Sequence, residues 1–208
     1  MHRFPAALLD GYRAFMDERY EQQRYRALAD GQSPETLIIA CCDSRAAPEI
    51  IFNSGPGELF VLRNVANLVP TFQPDGAQHG TSAAIEFAVN ALEVKNIVVM
   101  GHGRCGGIRA ALEHGAPLAH GDFIGKWMSM LGPVAEEVAA YKILTDKERH
   151  TMLERLSIRN SINNLRTFPY VRQLEADGKL QVHGAWFDIS TGELWVMDAN
   201  GDFERPVV

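Results

Sequence analysis

The segment KNIVVMGHGRCGGIRAAL, residues 95–112, decides the fold of this chain. Its short apolar run NIVVM (96–100) is rich in β-branched residues, which is typical of a central strand in a parallel sheet. A glycine-rich turn follows, and GGIRAALEHG (106–115) then has the composition of a helix. A strand that passes through a tight turn into a helix is the repeating unit of an α/β domain.

The same alternation extends over most of the chain. Further strands are predicted at TLIIA (36–40) and ELFVLRN (58–64), and the segment 179–198 reads as a hairpin around STG. Helical patterns cover roughly 81–92, 121–141 and 145–166. The sequence therefore predicts a single domain, 1–208, whose α/β core with a mostly parallel sheet covers 35–208.

Residues 1–34 form a separate pattern. Apolar side chains recur there at helical spacing, with charged residues between them, so an amphipathic helical arm is expected. The pattern is carried by Phe4, Leu8, Tyr12, Phe15 and Met16. This stretch lacks the uninterrupted apolar segment and small-residue cleavage site of a signal peptide.

Composition narrows the class of partner and the compartment. The 208 residues carry a formal net charge of -6, which argues against binding nucleic acid or an anionic membrane through bulk charge. No apolar run is long enough to span a bilayer. Three cysteines are too few for a disulfide framework, so we expect a reducing cytoplasm, where free thiols serve as metal ligands or nucleophiles.

Both unusual motifs follow predicted strands. CCDSR (41–45) follows the strand 36–40, and HGRC (102–105) follows the strand 96–100. Ligands of open parallel sheets bind beyond the carboxyl ends of the strands. A spacing of H-x-x-C is by itself more often a packed histidine and a buried cysteine. A second cysteine at a neighbouring strand end completes the Cys₂His set of a catalytic zinc site.

The choice between Cys41 and Cys42 depends on strand alternation. In an extended chain, Cys41, Asp43 and Arg45 share one face, while Cys42 lies on the other. Cys41 is therefore preferred as the ligand, because a carboxylate and a guanidinium then lie beside the metal. A bidentate pair of Asp43 and Arg45 would keep the carboxylate ionised and able to orient a metal-bound water.

With these motifs in place, the sequence resembles the β-class carbonic anhydrases. The resemblance rests on C-x-D-x-R and H-x-x-C-G-G together with further segments in the order and spacing of that family. These segments are GELFVLRNVANLVP (57–70), SAAIEFAV (82–89), VKNIVVMGH (94–102) and GKLQVHGAWFDISTGEL (178–194).

The resemblance implies a function, a site and an assembly. The function is the zinc-dependent, reversible hydration of carbon dioxide to bicarbonate and a proton, by zinc-bound hydroxide. Cys41, His102 and Cys105 would bind one Zn²⁺ per subunit, with Asp43 and Arg45 as the dyad that orients the hydroxide. The implied sheet has four parallel strands and an antiparallel edge strand, flanked by helices. The arm 1–34 would reach a partner subunit, with a homodimer as the basic unit, sometimes doubled to a homotetramer.

The resemblance also implies a plant-type active site. Gln32 would donate a hydrogen bond to a substrate oxygen, while Phe60, Val65 and Phe87 would line the carbon dioxide pocket. Phe87 stands where plant-type members carry Tyr, and Cys42 stands where Ser is usual. The other subtype has an allosteric bicarbonate pocket with a Trp, an Arg and a Tyr. Arg63 is present here, but Ile38 and Phe187 stand at the Trp and Tyr positions, so no such pocket is expected.

Other functions compete with this interpretation. Carbonyl sulfide and carbon disulfide hydrolases resemble the same family and differ in pocket width. A non-catalytic zinc protein is a second alternative, against which the complete ligand set and dyad argue. A thiol redox protein that uses Cys41 and Cys42 is a third, but adjacent cysteines form a strained ring and do not match C-x-x-C. Two thiolate ligands should leave the zinc-bound water less acidic, so activity is expected to rise toward alkaline pH.

Overall fold

The computed structural model describes residues 4–113 and 122–207, and the chain divides into two compact units. One unit covers Met1–Ser33 and the other covers Pro34–Val208. The predicted helices 106–115 and 121–141 extend into 114–121, which lies outside the described residues.

The first unit contains two helices where the sequence pattern predicts one. Helix α1 spans Ala6–Glu18 and α2 spans Gln22–Leu28, because the backbone becomes extended at Glu21. The ring of Phe15 packs edge-on against Tyr25, with centroids 5.8 Å apart. Neither helix buries a described side chain: Phe4, Leu8, Tyr12 and Met16 are exposed, and Phe15 is partly covered.

The second unit is built on a sheet whose described strands follow the order β2-β1-β3-β4-β5-β6. Their bounds are β1 Thr36–Cys41, β2 Leu59–Asn64, β3 Asn96–His102, β4 Gln181–Asp188, β5 Glu193–Met197 and β6 Phe203–Glu204. The first four strands in this order run parallel, and β5 pairs antiparallel with β4. The predicted α/β class and its mostly parallel sheet are therefore confirmed. The expected edge strand, β5, carries one more short strand, β6, on its outer side.

Helices cover the sheet. They are α3 Pro48–Ile51, α4 Gly80–Glu86, α5 Gly106–Leu112, α6 Asp122–Met128, α7 Gly132–Ala140, α8 Asp146–Leu165 and α9 Pro169–Ala176. Helix α8 begins at a capping box in which Thr145 and Glu148 satisfy each other's backbone N–H groups. Among the described residues, no helix is both long enough and apolar enough to cross a membrane.

Side chains of β1 alternate between the two faces of the sheet. Leu37 and Ile39 belong to the main core that α8 completes, whereas Ile38 and Ala40 belong to a smaller cluster on the opposite face. Cys41 is buried in a third cluster, to which Ile108 of α5 and Leu153 of α8 also belong. The strand pattern thereby carries Cys41 inward at the end of β1.

Candidate metal centre

Three metal-binding side chains converge at the carboxyl ends of β1 and β3. Cys41 ends β1, His102 ends β3, and Cys105 lies immediately before α5. The two strands are parallel neighbours, paired from Thr36 with Asn96 onward, so their ends meet at one edge of the sheet. The thiol sulfurs of Cys41 and Cys105 and a ring nitrogen of His102 all lie within 4.8 Å of one another. Each of these residues is at most 5% exposed.

The glycines around the turn from His102 to Cys105 suggest that they allow its backbone to bend, but the structure gives them another role. The left-handed backbone of the turn belongs to Arg104, with φ of 59°. Gly101 and Gly103 are needed for close packing instead. A Cβ on Gly101 would lie 2.8 Å from Cδ1 of Ile158, and one on Gly103 would lie 3.2 Å from the ring of Trp186.

His102 is oriented for metal binding by its own backbone. Nδ1 lies 2.9 Å from the carbonyl oxygen of Gly103, so in the tautomer this contact requires, Nδ1–H donates and Nε2 carries the lone pair. Nε2 is buried and has no hydrogen-bond partner among the described residues. A buried nitrogen without a partner costs free energy, which a metal ion at this position would offset. The donor set and this orphaned nitrogen both fit Zn²⁺.

The two thiols are electrostatically different before any metal binds. The pKa of Cys41 lies below its usual value, because the Cys105 thiol donates a hydrogen bond to its sulfur, against the opposing effect of burial. The backbone N–H of Ala66 also donates to Sγ of Cys41, at 3.4 Å. The pKa of Cys105 is raised, because it loses that hydrogen bond on ionising and is itself buried. A cation would draw both into the thiolate form.

Asp43 is held beside the cluster by Arg45. Nε of Arg45 donates to Oδ1 of Asp43 at 2.9 Å and Nη2 donates to Oδ2 at 2.7 Å, while the backbone N–H of Arg45 donates to Oδ1 at 3.0 Å. Oδ2 of Asp43 lies 3.8 Å from Nε2 of His102. The Arg45 hydrogen bonds hold the pKa of Asp43 well below its usual value, so the carboxylate is ionised at neutral pH.

The structure also separates the two adjacent cysteines. Cys41 is buried in the cluster, whereas Cys42 is exposed and uses its backbone N–H to bond the carbonyl of Asn64 at 2.8 Å. The alternation argument therefore selects the cysteine that the geometry places with His102 and Cys105.

Two charged residues to which the sequence analysis assigns no role at the metal centre support the cluster. Arg63, on β2, donates from Nε to the carbonyl of Cys41 at 2.8 Å and from Nη2 to the carbonyl of Asp43 at 2.6 Å. Glu154, on α8, is 2% exposed and accepts the backbone N–H of Cys105 at 3.0 Å. The burial of Glu154 is its only signal, because buried carboxyl groups are rare, and it appears only once the helix is placed.

The predicted pocket residues are not all near this centre. Phe60 and Phe87 pack together with ring centroids 5.8 Å apart. Phe60 pairs with Leu37, four residues before Cys41, so it lies about 13 Å along the strands from the metal ligands of its own chain. Val65 directly precedes Ala66, whose N–H contacts Cys41, and is 36% exposed.

Gln32 belongs to the first unit and is exposed in the segment that precedes β1. Its role in binding substrate stays a prediction.

Comparisons with known proteins agree with this geometry. The family model described as "Carbonic anhydrase" matches residues 36–194. "Beta carbonic anhydrase 3" of Arabidopsis thaliana is 35% identical over 196 residues, which cover 90% of this chain and 75% of the relative. Two further relatives from that plant are longer, and the chain spans 59% and 63% of their length.

Solved structures of the same class share the fold. The β-carbonic anhydrase CcaA superposes with a TM-score of 0.90 at 29% identity, over 98% of this chain and 92% of that one. One of two β-carbonic anhydrases described as tetrameric, from Sordaria macrospora, gives a TM-score of 0.73 at 34% identity over 93% of each chain. The sequence match, the fold and the Cys₂His cluster lead to one conclusion: this chain belongs to the β-class carbonic anhydrases.

Proposed function

We propose that this protein catalyses the reversible hydration of carbon dioxide to bicarbonate and a proton, with one Zn²⁺ per subunit held by Cys41, His102 and Cys105. The observation that carries the proposal is the Cys₂His cluster with an ionised carboxylate fixed beside it. Three protein ligands leave the fourth tetrahedral position open, as a catalytic rather than a structural zinc site requires. When bound, Zn²⁺ would lower the pKa of a coordinated water and so supply the nucleophile at moderate pH.

Asp43 is suited to orient that nucleophile. Its Oδ1 accepts two hydrogen bonds from Arg45 and its Oδ2 accepts one, so Oδ2 keeps more free acceptor capacity. Oδ2 is also the oxygen that lies 3.8 Å from Nε2 of His102. A proton donated to Oδ2 turns the lone pairs of the attacking oxygen away from Asp43 and toward the substrate.

Arg45 and Arg63 keep that oxygen in place. Arg45 contacts both carboxylate oxygens of Asp43 and so restricts rotation of the carboxylate group. Arg63 fixes the backbone on which it is carried, because the carbonyls of Cys41 and Asp43 both accept from its guanidinium. Asp43 is therefore restrained at both its side chain and its main chain, which favours orientation over a swing toward the metal ligands.

The apolar part of the carbon dioxide pocket requires a second subunit in this proposal. Val65 lies next to the centre of its own chain, whereas Phe60 and Phe87 lie far along the strands. Phe87 is 49% exposed, so the pair is open to a second protein surface. We place Phe60 and Phe87 in the active site of the partner within a homodimer, and the role of Gln32 stays a prediction. A homotetramer and a cytoplasmic location stay predictions.

The test is stopped-flow hydration of carbon dioxide with a pH indicator, on zinc-loaded protein at pH 8.5, beside Asp43→Asn. We expect rapid turnover by the wild type and a loss of about 100-fold or more in the variant, the usual contribution of a positioned proton acceptor. A wild-type protein that holds one zinc and does not hydrate carbon dioxide would overturn the proposal. Consumption of carbonyl sulfide by that same protein would then assign the site to a related hydrolase.

A further inference from the structure

We propose that Glu154 is a positioning residue that locks the backbone of Cys105 and thereby determines how firmly the centre retains zinc. This inference rests on the proposed function only in taking Zn²⁺ as the ion of the Cys₂His cluster. Glu154 itself lies on α8 and does not belong to that cluster.

The two peptide groups on either side of Cys105 are both held by side chains of α8. Oε1 of Glu154 accepts the N–H of Cys105 at 3.0 Å. Nε2 of His150, one helical turn earlier, lies 3.1 Å from the carbonyl oxygen of Cys105 and 3.3 Å from Oε1 of Glu154. With both flanking peptides fixed, the direction of the Cα–Cβ bond of Cys105 is fixed too, and its sulfur is aimed at the cluster.

The second oxygen of Glu154 fixes the carboxylate itself. Oε2 accepts the indole N–H of Trp186, on β4, at 3.1 Å. The side chain of Trp186 is buried and also packs against the glycine turn that precedes Cys105. Glu154 therefore bridges β4 and the metal-binding turn, and one N–H donor serves each of its oxygens.

A carboxylate fits this place better than an amide. Burial of a charged group is unfavourable unless it is hydrogen-bonded, and here two N–H groups and an imidazole provide the contacts. Gln at position 154 has one acceptor oxygen, so it could serve either Cys105 or Trp186 and would turn an NH₂ group toward the other donor.

Glu154 could instead serve only to join α8 to β4, and the variant Trp186→Phe distinguishes that role from an action through Cys105. This variant removes the indole N–H from Oε2 and keeps a large aromatic ring, while the contact of Glu154 with Cys105 is untouched. If Glu154 acts mainly by joining α8 to β4, both variants should behave alike. If it acts through Cys105, changes at Glu154 should loosen the metal much more than Trp186→Phe, which leaves the contact of Oε1 with Cys105 in place.

The experiment measures the rate of zinc release from the loaded protein into an excess of a chromophoric chelator. The proteins compared are the wild type, Glu154→Gln, Glu154→Ala and Trp186→Phe, each with its zinc content and the thermal unfolding of its zinc-stripped form. We expect Glu154→Ala to release zinc about 10- to 100-fold faster, the usual effect of losing a group that orients a metal ligand. Glu154→Gln should be intermediate, because its oxygen can still accept the N–H of Cys105, and Trp186→Phe should stay close to the wild type.

Two results would overturn the inference. One is zinc release from both Glu154 variants at the wild-type rate. The other is acceleration in Trp186→Phe equal to that in Glu154→Ala, with an equal fall in the melting temperature of the zinc-stripped forms. If Glu154→Ala does not fold, Glu154→Gln against Trp186→Phe decides the question. A wild-type protein that holds zinc tightly without hydrating carbon dioxide would contradict the proposed function but not the role of Glu154 in retaining zinc.

Discussion

The guanidinium of Arg45 donates a hydrogen bond to each carboxylate oxygen of Asp43, from Nε to Oδ1 at 2.9 Å and from Nη2 to Oδ2 at 2.7 Å. The Asp43 side chain is 17% exposed and that of Arg45 is 51% exposed, so the pair lies at the rim of the metal centre. As an ordinary surface ion pair it would add little to stability. Its consequence is geometric, because it fixes one carboxylate oxygen beside the three ligands.

Arg45→Lys should therefore impair turnover although it keeps the positive charge. Lys presents a single ammonium group and cannot make the planar two-point contact, so Asp43 gains freedom to rotate. We expect kcat to fall about 10-fold or more with the zinc content unchanged, as for other losses of positioning at a reacting centre. Arg172→Lys, on the exposed part of α9, is the matched control and should retain wild-type kinetics. Equal kcat in Arg45→Lys and the wild type would contradict an orienting role for the pair.

The ionisation of the two buried thiols predicts how the stability of the zinc-stripped protein depends on pH. The pKa of Cys41 is lowered in the folded state by its hydrogen bond from Cys105. Its contribution is therefore complete above the unfolded thiol pKa of about 8.5 and is lost as the pH falls toward its folded pKa. The pKa of Cys105 is raised, so its contribution is complete below about pH 8.5 and is lost as the pH rises further.

The sum of these two contributions should be largest near pH 8.5. The measurement is the urea midpoint of reduced, zinc-stripped protein at pH values from about 6 to 10. Cys41→Ser should flatten this dependence, because it removes both the low-pKa thiol and the partner that raises the pKa of Cys105. Cys42→Ser is the matched control at the exposed neighbour and should leave the profile unchanged. A profile that Cys41→Ser does not alter would show that the two thiols do not interact in this way.

The packing of Gly101 against Ile158 predicts a specific double-mutant result. A Cβ at position 101 would lie 2.8 Å from Cδ1 of Ile158, whose side chain is fully buried. Gly101→Ala should therefore lower the free energy of unfolding by about 1–3 kcal/mol, the usual cost of overpacking a core. Ile158→Val removes Cδ1, so the double variant should be more stable than the sum of the two single changes predicts. Strict additivity in urea unfolding would show that Cδ1 is not the atom that excludes alanine.

The position of Phe60 predicts that active sites are completed by the partner subunit. Asp43→Asn removes the orienting carboxylate from one chain, and Phe60→Ala combined with Phe87→Ala removes the aromatic pair from another. In a mixed dimer, the intact Asp43 of the second chain would be next to the aromatic pair of the first. One site per mixed dimer is then complete.

Each homodimer should be weakly active, whereas random mixing of equal amounts should restore about a quarter of wild-type carbon dioxide hydration, because half the dimers are mixed and each has one complete site. Mixing Asp43→Asn with Arg45→Lys is the control, since both changes affect the same chain's contribution to the site. If mixing restores no activity after subunit exchange is verified, the aromatic pair acts within its own chain or not at all.

Some of this molecule follows from short-range rules that act along the chain. The apolar run 96–100 and the alternation of strands and helices specify a mostly parallel sheet, and the ends of parallel strands lie at one edge. The same period of two distinguishes Cys41 from Cys42 before any coordinates are known. These features are predictable because each depends on a repeat within a few residues.

Other features depend on which surfaces pack together. The sequence pattern suggests that glycines allow the turn before Cys105 to bend, but Arg104 takes the left-handed conformation and the glycines accommodate Ile158 and Trp186. Helix 81–92 was expected to continue regularly, yet its last part, Phe87–Ala91, is a π-helical turn. The two glycine contacts join segments that are distant in sequence, and nothing in the structure explains the π-helical turn.

The sequence by itself predicted the mostly parallel sheet, the candidate ligands Cys41, His102 and Cys105, and the pairing of Asp43 with Arg45, because strand periodicity, the common edge of parallel strand ends and residues two or three positions apart point to them. Only the tertiary structure decided that Arg63 and Glu154 hold the backbone of those ligands, since 22 and 49 residues separate the partners. It also decided that Phe60 lies beyond reach of its own centre, through the register of β1 and β2. Local pattern identifies which groups react, whereas long-range packing alone determines what holds them in position.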